Sequence, residues 1–155
     1  MDAGDLVEEF ELPDETGRIV RLATLLERGP VVLFFYPLAM TKGCTAESCH
    51  FRDLRGEFEA LGATPVGISM DTVDKQQAFA TRHGFGFPLL SDSTGAVATQ
   101  FGVRRTIVRL LPVRRATFVI GTDHRVLGVV RSELRMDDHA DRALEIVRTA
   151  TAVPS

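Results

Sequence analysis

Apolar positions along the chain follow two rhythms. "VVLFFY" at 31–36 is an unbroken apolar run, too short for anything but a buried strand. "TPVGISM" at 64–70 is a second such run. Between them, residues 44–61 place Leu54, Phe58 and Leu61 at i, i+4 and i+7, which predicts a helix stopped at Gly62. Asp71–Thr72 reads as the cap of a second helix, "VDKQQAFATRH", ending at Gly84. "FPLLSD" reads as a short strand and "STGAVATQFG" as a brief helix. "ATFVIG" and "RVLGVVR" flank Gly121–Thr122–Asp123 and predict a β-hairpin. A last helix spans about 137–149, with Ala140, Ala143, Leu144 and Val147 on its inner face. Near the N-terminus, the turn "DETG" at 14–17 separates short strands at Phe10–Leu12 and Arg18–Leu22. Residues 103–114 fit neither rhythm, and "TAVPS" at 151–155 reads as a frayed tail.

The order β-α-β-α-β, then a hairpin and a final helix, predicts an α/β fold. Its central sheet is mixed, parallel in the first half and antiparallel at the hairpin, with helices on both sides. At 155 residues, the length suits one domain spanning 1–155. In such sheets, chemistry collects where strands end and helices begin. The strand Val31–Tyr36, the loop 37–43 and a helix from Cys44 form such a junction.

Charge narrows the function. A net charge of −3, with 25% charged residues, argues against a nucleic-acid or membrane binder. The acidic start "MDAGDLVEEF" lacks the positive region of a secretory signal, and no apolar run approaches a membrane span. These features predict a cytoplasmic protein. In that compartment a cysteine pair is more often catalytic or metal-binding than a structural disulfide.

Both cysteines of the chain, Cys44 and Cys49, lie in "PLAMTKGCTAESC" at 37–49. Three readings stand. Cysteines are often simple packing residues. A zinc site needs four ligands, and only Cys44, Cys49 and His50 are close in sequence; His83, His124 and His139 are scattered and read as solvated. The third reading is a redox pair. Cys44 at a helix start lies near unpaired N–H groups and the positive end of the dipole, which favour thiolate. Residues five apart on a helix sit ~140° apart with Cα atoms ~8.6 Å apart. A disulfide wants about 7 Å or less. The pair therefore bonds only if the first turn or two unwinds.

The stretch "YPLAMTKGCTAESC" resembles the Pro-x-x-x-Thr-x-x-Cys signature of peroxiredoxins at Pro37, Thr41 and Cys44. A second cysteine five residues on is similar to the Q-type branch, the bacterioferritin comigratory proteins. "RRATFVIG" resembles the family's Arg-x-Ser/Thr-Phe segment at Arg115, Thr117 and Phe118, and "GFGFPLLSDSTGAVATQFGV" resembles its middle segment. The resemblance runs from about Gly4 to the final helix. It implies a thioredoxin-like three-layer α/β/α sandwich and a thiol peroxidase of the antioxidant, redox-homeostasis kind. Cys44 would be the peroxidatic cysteine, oxidised to sulfenic acid by hydrogen peroxide or an organic hydroperoxide. Cys49 would resolve it as an intramolecular disulfide, and thioredoxin or a similar dithiol donor would reduce that. No cofactor and no metal is expected, nor a nucleic-acid or membrane partner; the expected state is a monomer or weak homodimer.

The residue chemistry agrees with these roles. Breaking an O–O bond puts charge on the leaving oxygen, and fixed donors lower that barrier. The Thr41 hydroxyl either faces the pocket or caps the helix. Arg115 would stabilise a thiolate and bind substrate, but only the resemblance selects it over Arg114. Pro37 would stiffen the loop and shield the sulfur, and Glu47 could be a first-turn dipole partner. Lys42 stands where the family commonly has proline, and Ala39 where it commonly has an acidic residue. Ile107, Val108, Leu110, Leu111 and Val113 are interleaved with arginines across 104–115, which reads as a surface segment beside the site, or as a docking or dimer contact. A redox relay with the same disulfide is the rival function. A thiol–disulfide oxidoreductase would carry C-x-x-C instead.

Overall fold

The computed structural model describes residues 1–105, 112–132 and 135–152. Two short antiparallel strands, β1 (Glu11–Pro13) and β2 (Ile19–Arg21), form an N-terminal ribbon. After helix α1 (Leu22–Leu26) comes the central strand β3 (Val31–Phe35). Then follow α2 (Lys42–Asp53), α3 (Arg55–Ala60), β4 (Thr64–Ser69), α4 (Val73–His83), β5 (Leu89–Ser91) and α5 (Ala96–Gln100). The hairpin β6 (Ala116–Ile120) and β7 (Val126–Arg131) and the helix α6 (Met136–Ala152) complete the order. The main sheet runs β5-β4-β3-β6-β7; β3, β4 and β5 are parallel, and β6 and β7 join antiparallel. The expected mixed-sheet, three-layer α/β/α architecture is present.

Alternation along β3 sorts the two cores. Val31, Leu33 and Phe35 face one side, with Leu22 and Leu26 of α1 and Val97 and Ala98 of α5. Val32, Phe34 and Tyr36 face the other, with Cys44, Phe51, Phe58, Phe79 and the α6 residues Ala140, Ala143, Leu144 and Val147. A strand buried on both faces has no polar rhythm, which is why this one reads as a continuous apolar run. The Phe34 ring stacks on Phe51 at 4.1 Å, which pins the second half of α2 to the sheet.

The boundaries differ from the sequence reading at three points. The helix expected from Cys44 begins at Lys42, with Thr41 in the extended N-cap conformation. It also breaks at Leu54, so 44–61 is two helices. The helix α1 breaks the expected Arg18–Leu22 strand short, because Leu22 and Leu26 together cover the core. Within 103–114, Arg104 and Val113 form an isolated antiparallel bridge. Ile107, Val108, Leu110 and Leu111 lie outside the described residues, as do the last three of the predicted tail. Helix α6 continues to Ala152. Among the described residues, no helix is long and apolar enough to cross a membrane.

Candidate active site

Cys44 sits in the first turn of α2, just beyond the carboxyl end of β3, and is fully buried. The loop that delivers it, residues 36–41, is held from the neighbouring strand. The Asp71 carboxylate, past the end of β4, accepts from the Ala39 N–H at 2.7 Å and from the Ser69 hydroxyl at 2.7 Å. Gln76 donates to Ser69 Oγ at 3.0 Å and to the Leu90 carbonyl at 2.8 Å. Of the expected Asp71–Thr72 cap, Thr72 caps α4, accepting from Lys75 N at 3.3 Å, while Asp71 reaches across to the loop. Pro37 is buried at the loop's start, and Met40 has a positive φ of 71° near its end.

Arg115 brings the distant half of the chain to the sulfur. Its Nη2 donates to Cys44 Sγ at 3.0 Å, while its Nη1 contacts Glu47 Oε1 at 3.5 Å. Arg115 is 8% exposed, Cys44 and Glu47 are 0% exposed, and Arg114 is exposed. The alternation that leads into β6 explains the choice. Residues 115, 117 and 119 point to the α2/α6 side, and 116, 118 and 120 to the other core.

Glu47 differs from the expected first-turn dipole partner. With α2 starting at Lys42 it lies in the second turn, between two cationic or polar partners. Its Oε2 is 3.5 Å from Nε2 of His139. His139, expected to be solvated, is 0% exposed. Its Nδ1 shares a 2.8 Å hydrogen bond with Thr117 Oγ1, and its Nε2 lies 2.7 Å from the Ser132 carbonyl. A carbonyl only accepts, so Nε2 carries a hydrogen. A buried chain thus runs Cys44, Arg115, Glu47, His139, Thr117. It orients the guanidinium from behind.

The Thr41 hydroxyl makes no capping bond. It donates to the Leu38 carbonyl at 2.9 Å and is within hydrogen-bonding reach of Cys44. Burial raises the Cys44 pKa above its ordinary value and disfavours the thiolate; the Arg115 charge, then hydrogen bonds from Thr41 and the Leu38 backbone, pull the other way. The net direction is opposite to that expected from the helix start alone, because the cost of burying the charge outweighs the cation and the hydrogen bonds that favour it. Peroxide reactivity should therefore climb with pH past neutrality, as thiolate forms.

Lys42 occupies the first helical position. That position needs no backbone N–H, and proline is favoured there. Thr41 before it is already extended (φ −77°, ψ 157°), as a residue before proline must be. Lys42→Pro is expected to fold, to stabilise the helix start by about 0.4–1 kcal/mol, and to keep peroxidase turnover. Thermal melts and a peroxide-consumption assay check it; total loss of turnover in the folded variant would contradict this geometry.

Cys49 is half-buried on the opposite flank of α2, and both cysteines are free thiols. Its sulfur lies 3.9 Å from Nδ1 of His83, at the end of α4. Sequence reasoning set His83 aside as solvated, whereas it packs on Phe79 and Phe85. Among the described residues, no group of three or more His, Cys, Asp or Glu could hold a metal. A concavity of about 920 Å3 lies at the amino end of β4, lined by Arg18, Arg28, Arg55 and Thr64, and away from Cys44.

Residues 3–129 match the model of the AhpC/TSA family. The crystal structure of peroxidoxin BcpB from Mycobacterium tuberculosis superposes with a TM-score of 0.93 and 57% identity, covering 100% of this chain and 99% of that one. Chloroplastic peroxiredoxin Q of Sedum lineare is 35% identical, covering 94% of this chain and 77% of its own length. A Xanthomonas campestris bacterioferritin comigratory protein, solved in a study of its alkyl peroxide reduction, has a TM-score of 0.84 and 28% identity, covering 95% of this chain and 99% of that one. With a cysteine buried under an arginine at a strand–helix junction, and these likenesses over nearly its full length, the chain belongs to the AhpC/TSA family, in its Q-type peroxiredoxin branch, and is a thiol peroxidase.

Proposed function

We propose that the chain reduces hydrogen peroxide and organic hydroperoxides through Cys44, with Cys49 as the resolving cysteine and a thioredoxin-like dithiol as reductant. The observation that carries this reading is the 3.0 Å contact from Arg115 Nη2 to Cys44 Sγ between two buried side chains. The thiolate of Cys44 attacks one peroxide oxygen, and the O–O electron pair leaves with the other. The sulfur becomes sulfenic acid and the leaving oxygen departs as water or alcohol. Arg115, held by Glu47, is the donor placed to stabilise that charge, and the Thr41 hydroxyl becomes a second when it turns from the Leu38 carbonyl. Pro37, buried at the start of the loop, stiffens the segment that delivers Cys44.

Resolution needs α2 to open. Cys44 and Cys49 share one continuous helix, and its geometry keeps their Cα atoms ~8.6 Å apart. Two features favour opening of its first half. The Ser48 hydroxyl is buried and makes no hydrogen bond among the described residues, a cost of about 1–3 kcal/mol. Phe51, stacked on Phe34 and Phe58, anchors only the part after Cys49.

Cys49→Ser tests the division of labour. The variant should consume one equivalent of peroxide at the wild-type rate and then stall with thioredoxin as the only donor. Sustained turnover by Cys49→Ser would remove Cys49 from the mechanism. Wild type that forms the disulfide yet turns over no peroxide with any dithiol would point to a redox relay instead.

A further inference from the structure

Cys49 does not lie against an inert wall. Its sulfur is 3.9 Å from Nδ1 of His83, and the imidazole is held in place. One face stacks near Phe85 with centroids 5.4 Å apart and planes 25° apart. Phe79 meets it edge-on at 5.4 Å and 83°. Arg52, one turn along α2 from Cys49, donates to the His83 carbonyl at 2.9 Å. That bond ties α2 to the end of α4 and sets the two side chains side by side. Gly84 then turns the chain away in the left-handed conformation, φ 59°.

We propose that His83 is the general base of the resolution step, taking the thiol proton of Cys49 through Nδ1 while α2 is still intact. This rests on the reading of Cys49 as the resolving cysteine. The neutral imidazole accepts the proton and leaves Cys49 as thiolate. When the first turns of α2 unwind, the thiolate attacks the sulfenic sulfur of Cys44. The S–S bond forms and the S–O bond breaks. Hydroxide leaves and is protonated to water, and the proton returned to solvent by His83 balances it. The Cys44 sulfur is reduced and the Cys49 sulfur oxidised; no other electron donor or acceptor is needed.

The charges around His83 suit a base that must be neutral at rest. Partial burial lowers its affinity for a proton, and the cations Arg82 and Arg52 lower it further. Arg82 belongs to α4 and Arg52 to α2, where Arg52 also meets Asp53 at 3.3 Å. Phe79, Phe85 and Phe87 carry no charge. An imidazolium formed there is destabilised and passes its proton on. An unassisted cysteine thiol is only about 3% thiolate at pH 7, so a base can gain at most about 30-fold there.

The test follows disulfide closure after a pulse of peroxide, by stopped-flow fluorescence of a labelled chain or by quenched-flow mass spectrometry. His83→Ala should slow closure about tenfold at pH 7 and leave the first oxidation of Cys44 unchanged. Added imidazole should restore part of the rate. Wild-type closure should fall as pH drops through the lowered pKa of His83, below about 6.5, and this limb should vanish in the variant. At high pH the two proteins should converge, since hydroxide then takes the thiol proton in place of the imidazole. His83→Asn keeps a polar neighbour for Cys49 without a titrating nitrogen and should be as slow as His83→Ala. The proposal falls if either variant closes at the wild-type rate, or if the loss is insensitive to both imidazole and pH, the signature of a packing role. If wild type forms no Cys44–Cys49 disulfide, the reading of Cys49 itself fails, which is a separate result.

Discussion

Cys44→Ser is expected to cut peroxide consumption by about 10⁴-fold or more, to the background of the uncatalysed reaction. The reacting atom is lost, and no neighbour can replace it. Serine's hydroxyl does not ionise in this range and has no base beside it; Arg115 is a donor and cannot take its proton. Cys49 is on the far flank of α2, against His83. The fold should survive, because oxygen for sulfur in the buried site keeps an acceptor for Arg115 and leaves only a small void. The cost should stay under about 2 kcal/mol. Peroxide consumption and a thermal melt on the same preparation separate the two effects.

Arg115→Ala is the second large effect, and it should strike both activity and stability. Loss of one charged donor at the reacting atom typically costs about 10²–10³-fold in turnover. The same change strips Glu47 of its cation in a fully buried position, worth about 3–5 kcal/mol. His139 at 3.5 Å from the other carboxylate oxygen should keep the cost near the lower end. The pH dependence gives a third readout. Arg115 is the largest influence holding the Cys44 thiol down against burial. Without it the pKa rises, and the thiolate is the reactive form, so the pH–rate curve moves to higher pH. Arg115→Lys keeps the charge but only one point of contact, and should fall between alanine and wild type in both measures. A variant with normal rates and an unshifted profile would contradict the assigned geometry.

What the sequence discloses depends on whether burial leaves a rhythm. The run 31–36 and the stripe Ala140, Ala143, Leu144, Val147 are plain, because continuous and 3.6-residue apolar patterns each have one reading. The break at Leu54 is hidden, since Leu54, Phe58 and Leu61 keep the same spacing across it. His139 was legible in principle: it lies four residues before Ala143 and eight before Val147, on the same buried stripe. The choice of Arg115 over Arg114 needed the sheet, because alternation selects a residue only once the face covered by α2 is known. The Asp71–Thr72 pair reads as a cap and Thr72 is one; the anchoring role of Asp71 is hidden, because cap residues and loop anchors share one chemistry and its partner Ala39 is thirty-two positions away. The pairing of Cys49 with His83 spans thirty-four positions and two helices, and no local pattern points to it.

The most direct measurement treats reduced wild-type protein with one equivalent of peroxide and maps the products by intact mass and peptide analysis. The account predicts a loss of two hydrogens with Cys44 and Cys49 joined, restored by thioredoxin. Cys44 left unmodified while peroxide disappears, or oxygen accumulating on Cys49 alone, would contradict it.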